Sequence, residues 1–496
     1  MKRKHPNVSL VSLGCPKNLV DSERMLASLA EGGCVVGAPM EQADAIIVNT
    51  CGFLSAAREE SLGVIREALQ HKRRRGRCRV VVAGCLVDRD AEKLFELAPG
   101  IDAIVGVNSR DDILAAVVGG EQARPLHVRP YRGGILSDAG RFRLTPRHTA
   151  YLRIAEGCSQ RCAFCTIPAI RGPFRSKTVR AVLNEAAELI ADGAVELNVI
   201  AQDTTAYGRD LAPPTTLARL LDELAQLPGL RWLRLLYAYP RRFTNELMNV
   251  MARRETIVPY VDIPLQHISD SVLRRMGRGV GRAATEKMLV DLRRVVPDVV
   301  IRTTFIVGFP GETAAEFKEL LDFVKAFKFD AMGVFEYSPE EGTRAAARVD
   351  QVPPEVKARR AERLMLAQQN PKNNGEKGEL RSTVERVNRA SASLESALGH
   401  IDSIAGRVDR GEGTIGRLTK DDALINEVQG VAEGVNEYVD GLRRVQAIVG
   451  LRSDYNFLAG TIKSYVEIRI QPREDKYYLI ELINDPRGKT TFTQTD

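Results

Sequence analysis

The first part of the chain alternates short apolar runs with longer segments in which apolar positions recur every three or four residues. Four apolar runs predict buried strands, at residues 8–13, 45–48, 79–83 and, more weakly, 104–105. Helical periodicity predicts helices over residues 18–31 and about 55–70. Short apolar strands separated by helices are typical of a parallel sheet with helices on both faces. We therefore predict an α/β domain over residues 1–125.

A second series of strands and helices follows a segment without clear periodicity. Residues 126–149, which contain Pro, Gly and Arg, predict a linker. Beyond it, six apolar runs predict strands at residues 151–155, 195–200, 231–236, 260–263, 300–306 and 331–335. Residues 357–369 have a helical pattern. Six strand–helix units predict a partial (β/α) barrel over residues 150–369, whose site lies at the carboxyl ends of the strands.

The pattern changes again in the last part of the chain. Apolar positions spaced alternately by three and four predict coiled-coil seams over residues 380–408 and 424–442. Residues 465–471 and 477–483 alternate between apolar and polar around a short polar turn, which predicts a β-hairpin. We therefore predict a helical and coiled-coil tail with a C-terminal β-hairpin over residues 370–496.

Composition restricts the class of protein. The chain has 496 residues, of which 44% are hydrophobic and 27% charged, as in soluble globular proteins of more than one domain. It contains no apolar run long enough for a membrane span, and its basic start is not followed by a small-residue cleavage site. We therefore expect a cytoplasmic protein. The net charge of +7 is compatible with nucleic acid or a ribonucleoprotein partner, although solvated lysines and arginines on surface helices are the favoured explanation.

Three cysteines lie close together after the first predicted barrel strand. We call Cys158, Cys162 and Cys165 the barrel trio; three and then two residues separate successive thiols. Three thiolates at this spacing can hold one [4Fe–4S] cluster and leave one iron without a protein ligand. The amine and carboxylate of a small molecule can bind that iron. Structural zinc normally needs four ligands, and no fourth Cys or His lies at the usual spacing.

Three other cysteines are dispersed along the first domain. We call Cys15, Cys51 and Cys85 the sheet trio, because each follows a predicted strand directly. The carboxyl ends of parallel strands share one edge of a sheet, so we expect these thiols to converge and hold a second cluster with an open iron. The alternative is that they are small buried hydrophobes. Cys34 and Cys78 fit neither trio and are interpreted as structural thiols.

The residues around both trios resemble a known family. The loop of the barrel trio resembles the radical S-adenosylmethionine superfamily. Its flanks, residues 155–157, 166–168 and 171–172, resemble the methylthiotransferases within that superfamily. Residues 11–23 (VSLGCPKNLVDSE) resemble more specifically the ribosomal protein S12 methylthiotransferase branch. Three further motifs agree with that branch, at residues 49–53, 201–208 and 264–267. The resemblance covers about residues 5–369.

This resemblance implies an activity, its cofactors and its partners. It implies two [4Fe–4S] clusters, with S-adenosyl-L-methionine bound to the cluster of the barrel trio. Cleavage of that molecule would yield a 5′-deoxyadenosyl radical, which removes a hydrogen from the β-carbon of an aspartate of ribosomal protein S12. The cluster of the sheet trio would deliver a sulfur methylated by a second S-adenosyl-L-methionine. An electron donor and a sulfur source are further implied partners. The six cysteines of the two trios would be both the metal ligands and the catalytic residues.

Five other residues are candidates for contacts with the cofactor: Phe164, Gln202, Asp203, Gly308 and Gly311. Phe164 lies between two cluster ligands, where it either packs beside the adenine or anchors the loop. Gln202 and Asp203 end a predicted strand, where polar groups either face the site or cap the strand. Gly308 and Gly311 follow another strand, where glycine allows close approach of the backbone or simply forms the turn. His267 is interpreted as a structural, hydrogen-bonded residue.

The tail departs from the family pattern. The small β-barrel with which the family normally ends, the TRAM domain, is not found after residue 369. Instead, residues 411–418 and 463–488 resemble the C-terminal region of bacterial MCE lipid-transport proteins. We therefore expect poor docking and slow modification of the ribosomal target. Two other functions stay open: a transfer-RNA adenosine methylthiotransferase, and a non-enzymatic coiled-coil or envelope-transport fusion that needs no iron.

Overall fold

The computed structural model describes residues 5–119, 126–129, 135 and 137–368, together with four strands near the C-terminus. The chain divides into two compact units, Met1–Pro371 and Lys372–Asp496. Among the described residues, none of the helices has both the length and the apolar character needed to cross a bilayer.

The first sheet has six parallel strands in the order β2-β1-β3-β4-β5-β6. The strands are β1 (Asn7–Ser12), β2 (Val35–Val36), β3 (Ala45–Thr50), β4 (Arg79–Gly84), β5 (Ala103–Val105) and β6 (Leu126–His127). The helices are α1 (Pro16–Glu31), α2 (Ser55–Arg75), α3 (Cys85–Asp90), α4 (Lys93–Leu97) and α5 (Ile113–Val118). Ile46 packs with Ile65 of α2, whereas the next residue, Ile47, packs with Leu29 of α1. The parallel sheet is therefore covered on both faces, as predicted.

The second sheet also has six parallel strands, in the order β14-β13-β12-β11-β10-β7. They are β7 (Thr149–Arg153), β10 (Glu196–Ile200), β11 (Trp232–Leu235), β12 (Ile257–Gln266), β13 (Val300–Val307) and β14 (Ala331–Glu336). A separate two-stranded ribbon pairs β8 (Ala155–Glu156) with β9 (Arg175–Ser176). The six strands predicted for a partial barrel are thus confirmed.

Helices alternate with the barrel strands and cover them on the outside. They are α6 (Ile167–Arg171), α7 (Val179–Ala191), α8 (Leu217–Leu224), α9 (Asn245–Arg253), α10 (Asp270–Arg275), α11 (Arg282–Val295), α12 (Ala314–Phe327) and α13 (Pro354–Gln368). One apolar cluster joins strand residues such as Val199, Val261 and Phe305 to helix residues such as Leu220 and Leu320. This core fixes the strand ends, and with them the loops that carry the candidate site.

The observed strands differ from the predicted ones mainly at the two edges of the first sheet, where β2 and β6 were not predicted. Strands β2 and β6 have two residues each, which is too short for a periodic signal. Strand β6 lies within the segment predicted as a linker and pairs with β5. The domain boundaries stay a prediction, since the sheet continues past residue 125.

The second unit contains an antiparallel sheet in the order β15-β16-β17-β18. Its strands are β15 (Gln446–Asn456), β16 (Thr461–Arg473), β17 (Lys476–Asn484) and β18 (Phe492–Thr495). The predicted hairpin is confirmed as the pairing of β16 with β17. The sequence did not predict the two outer strands of this sheet, β15 and β18. Strand β15 contains a glycine, Gly450. The two predicted coiled-coil seams lie outside the described residues.

Candidate iron–sulfur and radical site

The sheet trio lies at one edge of the first sheet. Cys15 precedes α1, Cys51 follows β3 and Cys85 begins α3, and the strands β1, β3 and β4 that lead to them are neighbours. A β-carbon added to Gly14 would lie 2.9 Å from the Cβ of Cys51, and one added to Gly52 would lie 2.9 Å from the backbone of Cys85. Glycine at both positions therefore lets the three cysteine loops pack side by side.

The thiols of the sheet trio differ in exposure. Cys15 is exposed, Cys51 is half-buried and Cys85 is buried. Burial raises the pKa of Cys51, and it raises the pKa of Cys85 to about 12 against the opposing field of Arg171. Because thiolate is the form that binds metal, a cationic cluster among these thiols would offset the cost of ionising them. The donor set therefore fits an iron–sulfur cluster.

The barrel trio occupies the loop between β8 and α6. The backbone N–H of Gln160 donates to Cys158 Sγ at 3.4 Å, and Arg278 Nη1 donates to Cys162 Sγ at 3.7 Å. Burial raises the pKa of Cys158 to about 11 and that of Cys165 to about 12. Donors that contact the sulfur atoms stabilise thiolate once a metal is bound. This loop therefore also fits a cluster with three protein ligands.

Neither trio is arranged around a single ion. Within the part of the chain that the structure describes, no three His, Cys, Asp or Glu side chains lie close enough together to hold one metal ion. A four-iron cluster is bound by thiolates at separate corners, so its ligands are spaced more widely. Three sulfur donors without a fourth protein ligand fit such a cluster better than structural zinc.

Phe164 packs inward from the loop of the barrel trio. Its ring meets Phe309 edge to face, with 6.5 Å between the ring centroids. The neighbouring Ala163 donates its backbone N–H to Met276 O at 2.8 Å and packs in the same apolar cluster as Tyr337. These contacts anchor the loop. Phe164 is only partly buried, and its contact with adenine stays a prediction.

Gln202 and Asp203 are connected to residues on both sides of Cys158, the first cysteine of the barrel trio. Gln202 Nε2 donates to Glu156 Oε1 at 2.8 Å, while Gln202 Oε1 is buried and has no partner among the described residues. Asp203 accepts from Gln160 Nε2 at 2.8 Å and from Arg242 Nη1 at 3.2 Å. Since Gln160 lies between two ligands of the barrel trio, Asp203 holds their loop in position. The free acceptor of Gln202 is available to a ligand.

Gly308 and Gly311 both have positive φ, at +70° and +75°. A β-carbon on Gly308 would overlap the side chain of Lys357, and one on Gly311 would overlap Asp350. Glycine is therefore required here by the close approach of α13 and the segment before it. Gly308 also donates its N–H to Glu312 Oε2 at 2.5 Å. Contact of either glycine with a cofactor stays a prediction.

His267 is buried beside the end of β12. Its Nδ1 accepts from the N–H of Ser269 at 3.0 Å, and its Nε2 has no partner among the residues that the structure describes. Burial lowers the pKa of His267 to about 3, so the imidazole is neutral at pH 7. This geometry agrees with a hydrogen-bonded structural role.

Eight buried charged side chains lie between the sheet trio and the barrel, and the sequence interpretation assigned them no role. We call them the charge network: Asp21, Arg110, Asp138, Arg153, Glu156, Arg171, Lys177 and Glu185. Four acidic groups balance four basic ones. Arg153 alone donates to Asp21 at 2.8 Å, Asp138 at 2.6 Å and Glu156 at 2.7 Å. Burial alone would raise the pKa of Glu156, but Arg171 and Arg153 hold it at about 2.

Arg171 joins the charge network to the sheet trio. Its Nε donates to Cys85 Sγ at 3.3 Å, its Nη1 to Glu156 at 3.1 Å and its Nη2 to Asp21 at 3.0 Å. Arg171 ends α6 on the barrel side, whereas Cys85 and Asp21 belong to the first sheet and its helices. One guanidinium therefore connects both halves of the site.

Lys17 is a second buried cation at this junction. It lies two residues after Cys15 and is only 6% exposed, with its Nζ 3.0 Å from the centre of the Tyr237 ring. Burial lowers the pKa of Lys17 to about 8, although the nearby Cys15 acts to raise it. Tyr237 follows β11, so Lys17 reaches from the sheet trio to the carboxyl end of the barrel.

Glu340 forms another connection between the barrel and the sheet trio. This carboxylate, 1% exposed, accepts from the N–H of Ser55 at 2.9 Å and from Arg89 Nη1 at 3.2 Å. Arg89 also donates to the carbonyl of Gly52 at 2.8 Å, next to Cys51. Because Ser55 begins α2, the carboxylate also faces the positive end of that helix. Glu340 therefore holds the Cys51 loop against the barrel.

Matches to family models and to solved structures agree with this geometry. The model of the radical SAM superfamily matches residues 152–324, and that of "Uncharacterized protein family UPF0004" matches residues 7–106. The fold is similar to that of the radical S-adenosylmethionine methyltransferase TsrM from Kitasatospora setae, with a TM-score of 0.51 and 17% identity over 69% of this chain and 77% of that chain. The fold and the cysteine loop thus define a radical S-adenosylmethionine enzyme.

Curated relatives give the family within that class. The ribosomal protein uS12 methylthiotransferase RimO of Desulforamulus reducens is 44% identical over 407 residues, which are 80% of this chain and 91% of the relative. The RimO of Anaeromyxobacter sp. (strain K) is 48% identical over 363 residues, which are 73% of this chain and 77% of the relative. The chain belongs to the family of ribosomal protein uS12 methylthiotransferases.

The tail gives a separate result. A model described as a lipocalin-like domain matches residues 447–496, which overlap the four-stranded sheet. The resemblance of the tail to MCE proteins stays a prediction.

Proposed function

We propose that this chain replaces a hydrogen on the β-carbon of one aspartate of ribosomal protein uS12 with a methylthio group. The observation that carries the proposal is the contact of Arg171 with Cys85, because it ties the loop after the barrel trio to the sheet trio at 3.3 Å. The reaction needs hydrogen removal and sulfur delivery at the same carbon. Two cysteine trios held on either side of one junction meet that need.

The barrel trio would hold a [4Fe–4S] cluster with S-adenosyl-L-methionine, and the sheet trio would hold a second cluster. When bound, these groups supply hydrogen abstraction, the sulfur and the methyl group. Asp203 fixes the loop of the barrel trio through Gln160, and Arg278 donates to one of its sulfur atoms. The acceptor of Gln202 that lacks a partner among the described residues is a group that a polar cofactor would satisfy.

Burial of part of this site also keeps water away from it. Cys85 and Cys158, one thiol of each trio, are buried, and so is the charge network beside them. Exclusion of water around these two thiols would protect reactive species from side reactions. A ribosomal substrate also places the enzyme in the cytoplasm, where an electron donor and a sulfur source complete the set of partners.

The test is methylthiolation by the full chain. Protein purified without oxygen and reconstituted with iron and sulfide should contain about eight irons, since each cubane holds four. Incubation with S-adenosyl-L-methionine, a reductant and uS12 should add one methylthio group to an aspartate, as read by mass spectrometry. The matched substrate control is transfer RNA digested to nucleosides. Methylthiolated adenosine with unmodified uS12 would favour the transfer-RNA branch, and protein without iron would favour a non-enzymatic role.

A further inference from the structure

Lys17 carries a buried charge that the described residues do not balance by direct contact. Its side chain is 94% shielded from solvent, yet its recorded partner is the face of the Tyr237 ring at 3.0 Å. Among the residues that the structure describes, no carboxylate forms an ion pair with Lys17. Buried cations are normally paired with an anion, because taking an unpaired charge out of water is costly.

The two carboxylates whose charges act on Lys17, Glu156 and Asp262, are already paired with arginines. Glu156 binds Arg153 and Arg171 within the charge network, and Asp262 accepts from Arg302 Nη1 at 2.8 Å. Neither carboxylate forms an ion pair with Lys17 among the described residues. Cys15 acts on the charge of Lys17 from the sheet trio, where a bound cluster would share the charge of that thiolate. A direct hydrogen-bonded partner for the ammonium would therefore be an anion from outside this set of residues.

The position of Lys17 indicates which anion that is. The lysine starts beside the sheet trio, and its ammonium ends over Tyr237 at the carboxyl ends of the barrel strands. In the proposed function, the reacting β-carbon has to be reached from both trios. The side-chain carboxylate of aspartate is bonded directly to that carbon, so it enters the same space.

We propose that Lys17 binds the side-chain carboxylate of the substrate aspartate, and that it thereby selects aspartate over asparagine and orients the β-carbon between the two trios. This inference rests on the proposed function. The ammonium donates hydrogen bonds to the carboxylate, and the Tyr237 ring holds the ammonium in place from the other side. An asparagine in the same place offers a neutral amide and leaves the buried cation unbalanced.

The test compares peptide binding by the reconstituted full chain. Two fluorescent peptides carry the uS12 sequence around the modified residue, one with aspartate and one with asparagine at that position. The wild type should bind the aspartate peptide about tenfold more tightly or better, a difference of about 1.4 kcal/mol. Lys17→Gln should bind both equally, and Lys17→Arg should keep part of the preference. Lys287→Gln is the matched control, because its exposed ion pair with Asp291 lies on α11.

Iron content and the electron paramagnetic resonance spectrum show whether each variant keeps both clusters. A Lys17→Gln protein that keeps its clusters and still prefers the aspartate peptide by the wild-type factor would overturn the inference. An altered spectrum with an unchanged peptide preference would likewise overturn it, since the lysine would then serve the cluster alone. If the wild type neither binds nor modifies the aspartate peptide, the proposed function itself fails. Wild-type modification combined with an unchanged preference in Lys17→Gln refutes only the role of the lysine.

Discussion

The two cysteine trios are built in opposite ways. The barrel trio is contained in one short loop, so its geometry follows from the spacing of three thiols along the chain. The sheet trio is assembled from three loops that become neighbours only because β1, β3 and β4 are adjacent in the sheet. The first kind of site tolerates changes elsewhere in the fold, whereas the second depends on sheet order and on the glycines that let its loops approach.

The trios also differ in how their arginines are balanced. Arg171, which contacts Cys85, is paired with Asp21 and Glu156. Arg278, which contacts Cys162, instead donates to Pro264 O at 2.6 Å and stacks over the Tyr239 ring. Among the described residues, no carboxylate pairs with Arg278. The sheet trio is therefore tied into a neutral buried network, while the barrel trio faces a cation without a carboxylate partner.

The largest expected effect is the loss of iron and activity when one cysteine of a trio is replaced, and the activity that is lost should differ between the two trios. Cys158→Ala should lose about four irons and abolish both the cleavage of S-adenosyl-L-methionine and methylthio transfer. Cys85→Ala should also lose about four irons, but it should keep the cleavage and lose only the transfer. Cys34→Ala, a buried thiol outside both trios, is the control. Iron analysis, 5′-deoxyadenosine and peptide mass are the measurements. Loss of cleavage in Cys85→Ala with four irons retained would contradict the separation of the two trios.

A smaller effect is expected for the arginine of the sheet trio. Arg171→Met leaves buried carboxylates with fewer partners and should lower the free energy of unfolding by about 3–5 kcal/mol. Denaturant unfolding measures this change. Lys287→Met, which removes an exposed ion pair, should leave the unfolding midpoint almost unchanged. Equal destabilisation by the two substitutions would show that the charge network contributes no more than a surface pair.

The connection at Glu340 should affect the sheet trio more than the barrel trio. Glu340→Ala removes the acceptor of Ser55 and Arg89 and should destabilise the protein by about 1–3 kcal/mol. The Cys51 loop should then shift, so methylthio transfer should fall about tenfold or more while cleavage of S-adenosyl-L-methionine stays near the wild-type rate. The ratio of methylthiolated peptide to 5′-deoxyadenosine is the readout. A ratio equal to that of the wild type would exclude this positioning role.

The smallest expected effect is on the pH dependence of the free energy of unfolding, through His267 in the barrel. His267 has a folded-state pKa of about 3, below the value of about 6.5 for unfolded histidine, because burial disfavours its charged form. Its contribution to stability is therefore complete above pH 6.5 and is lost as the pH falls towards 3. Between pH 6 and pH 5, the wild type should lose about 1.2 kcal/mol more of its free energy of unfolding than His267→Asn does. Unfolding curves at several pH values that run parallel for the two proteins would contradict this.

Much of the fold and the cysteine placement could be predicted, because each depends on local patterns. The strand leading to Cys51 is an uninterrupted apolar run, and the spacing of Cys158, Cys162 and Cys165 is visible directly. The family resemblance was carried by contiguous motifs, and the relatives confirm it. Periodicity failed where a strand has only two residues, as at β2 and β6.

The charge network and Lys17 could not be predicted, for a different reason. Asp21, Asp138 and Arg171 lie far apart in sequence, and nothing local indicates that they meet. On a helix, Asp21 and Lys17 each look like ordinary solvated residues. Their burial follows from packing of the first sheet and its helices against the barrel, which no pattern along the chain records. For this reason, the sequence located the two cysteine trios better than the charged groups around them.

Arg171 has a consequence for how the two halves of the site can move. A hinge between them would have to leave its guanidinium, or the carboxylates that surround it, uncompensated in the protein interior. Such a motion costs several kcal/mol per unpaired charge, so the arrangement with both halves in contact is strongly favoured over a hinged one. The separation of the two cysteine trios is therefore set by the fold, and a target side chain that reaches both has to adapt to it.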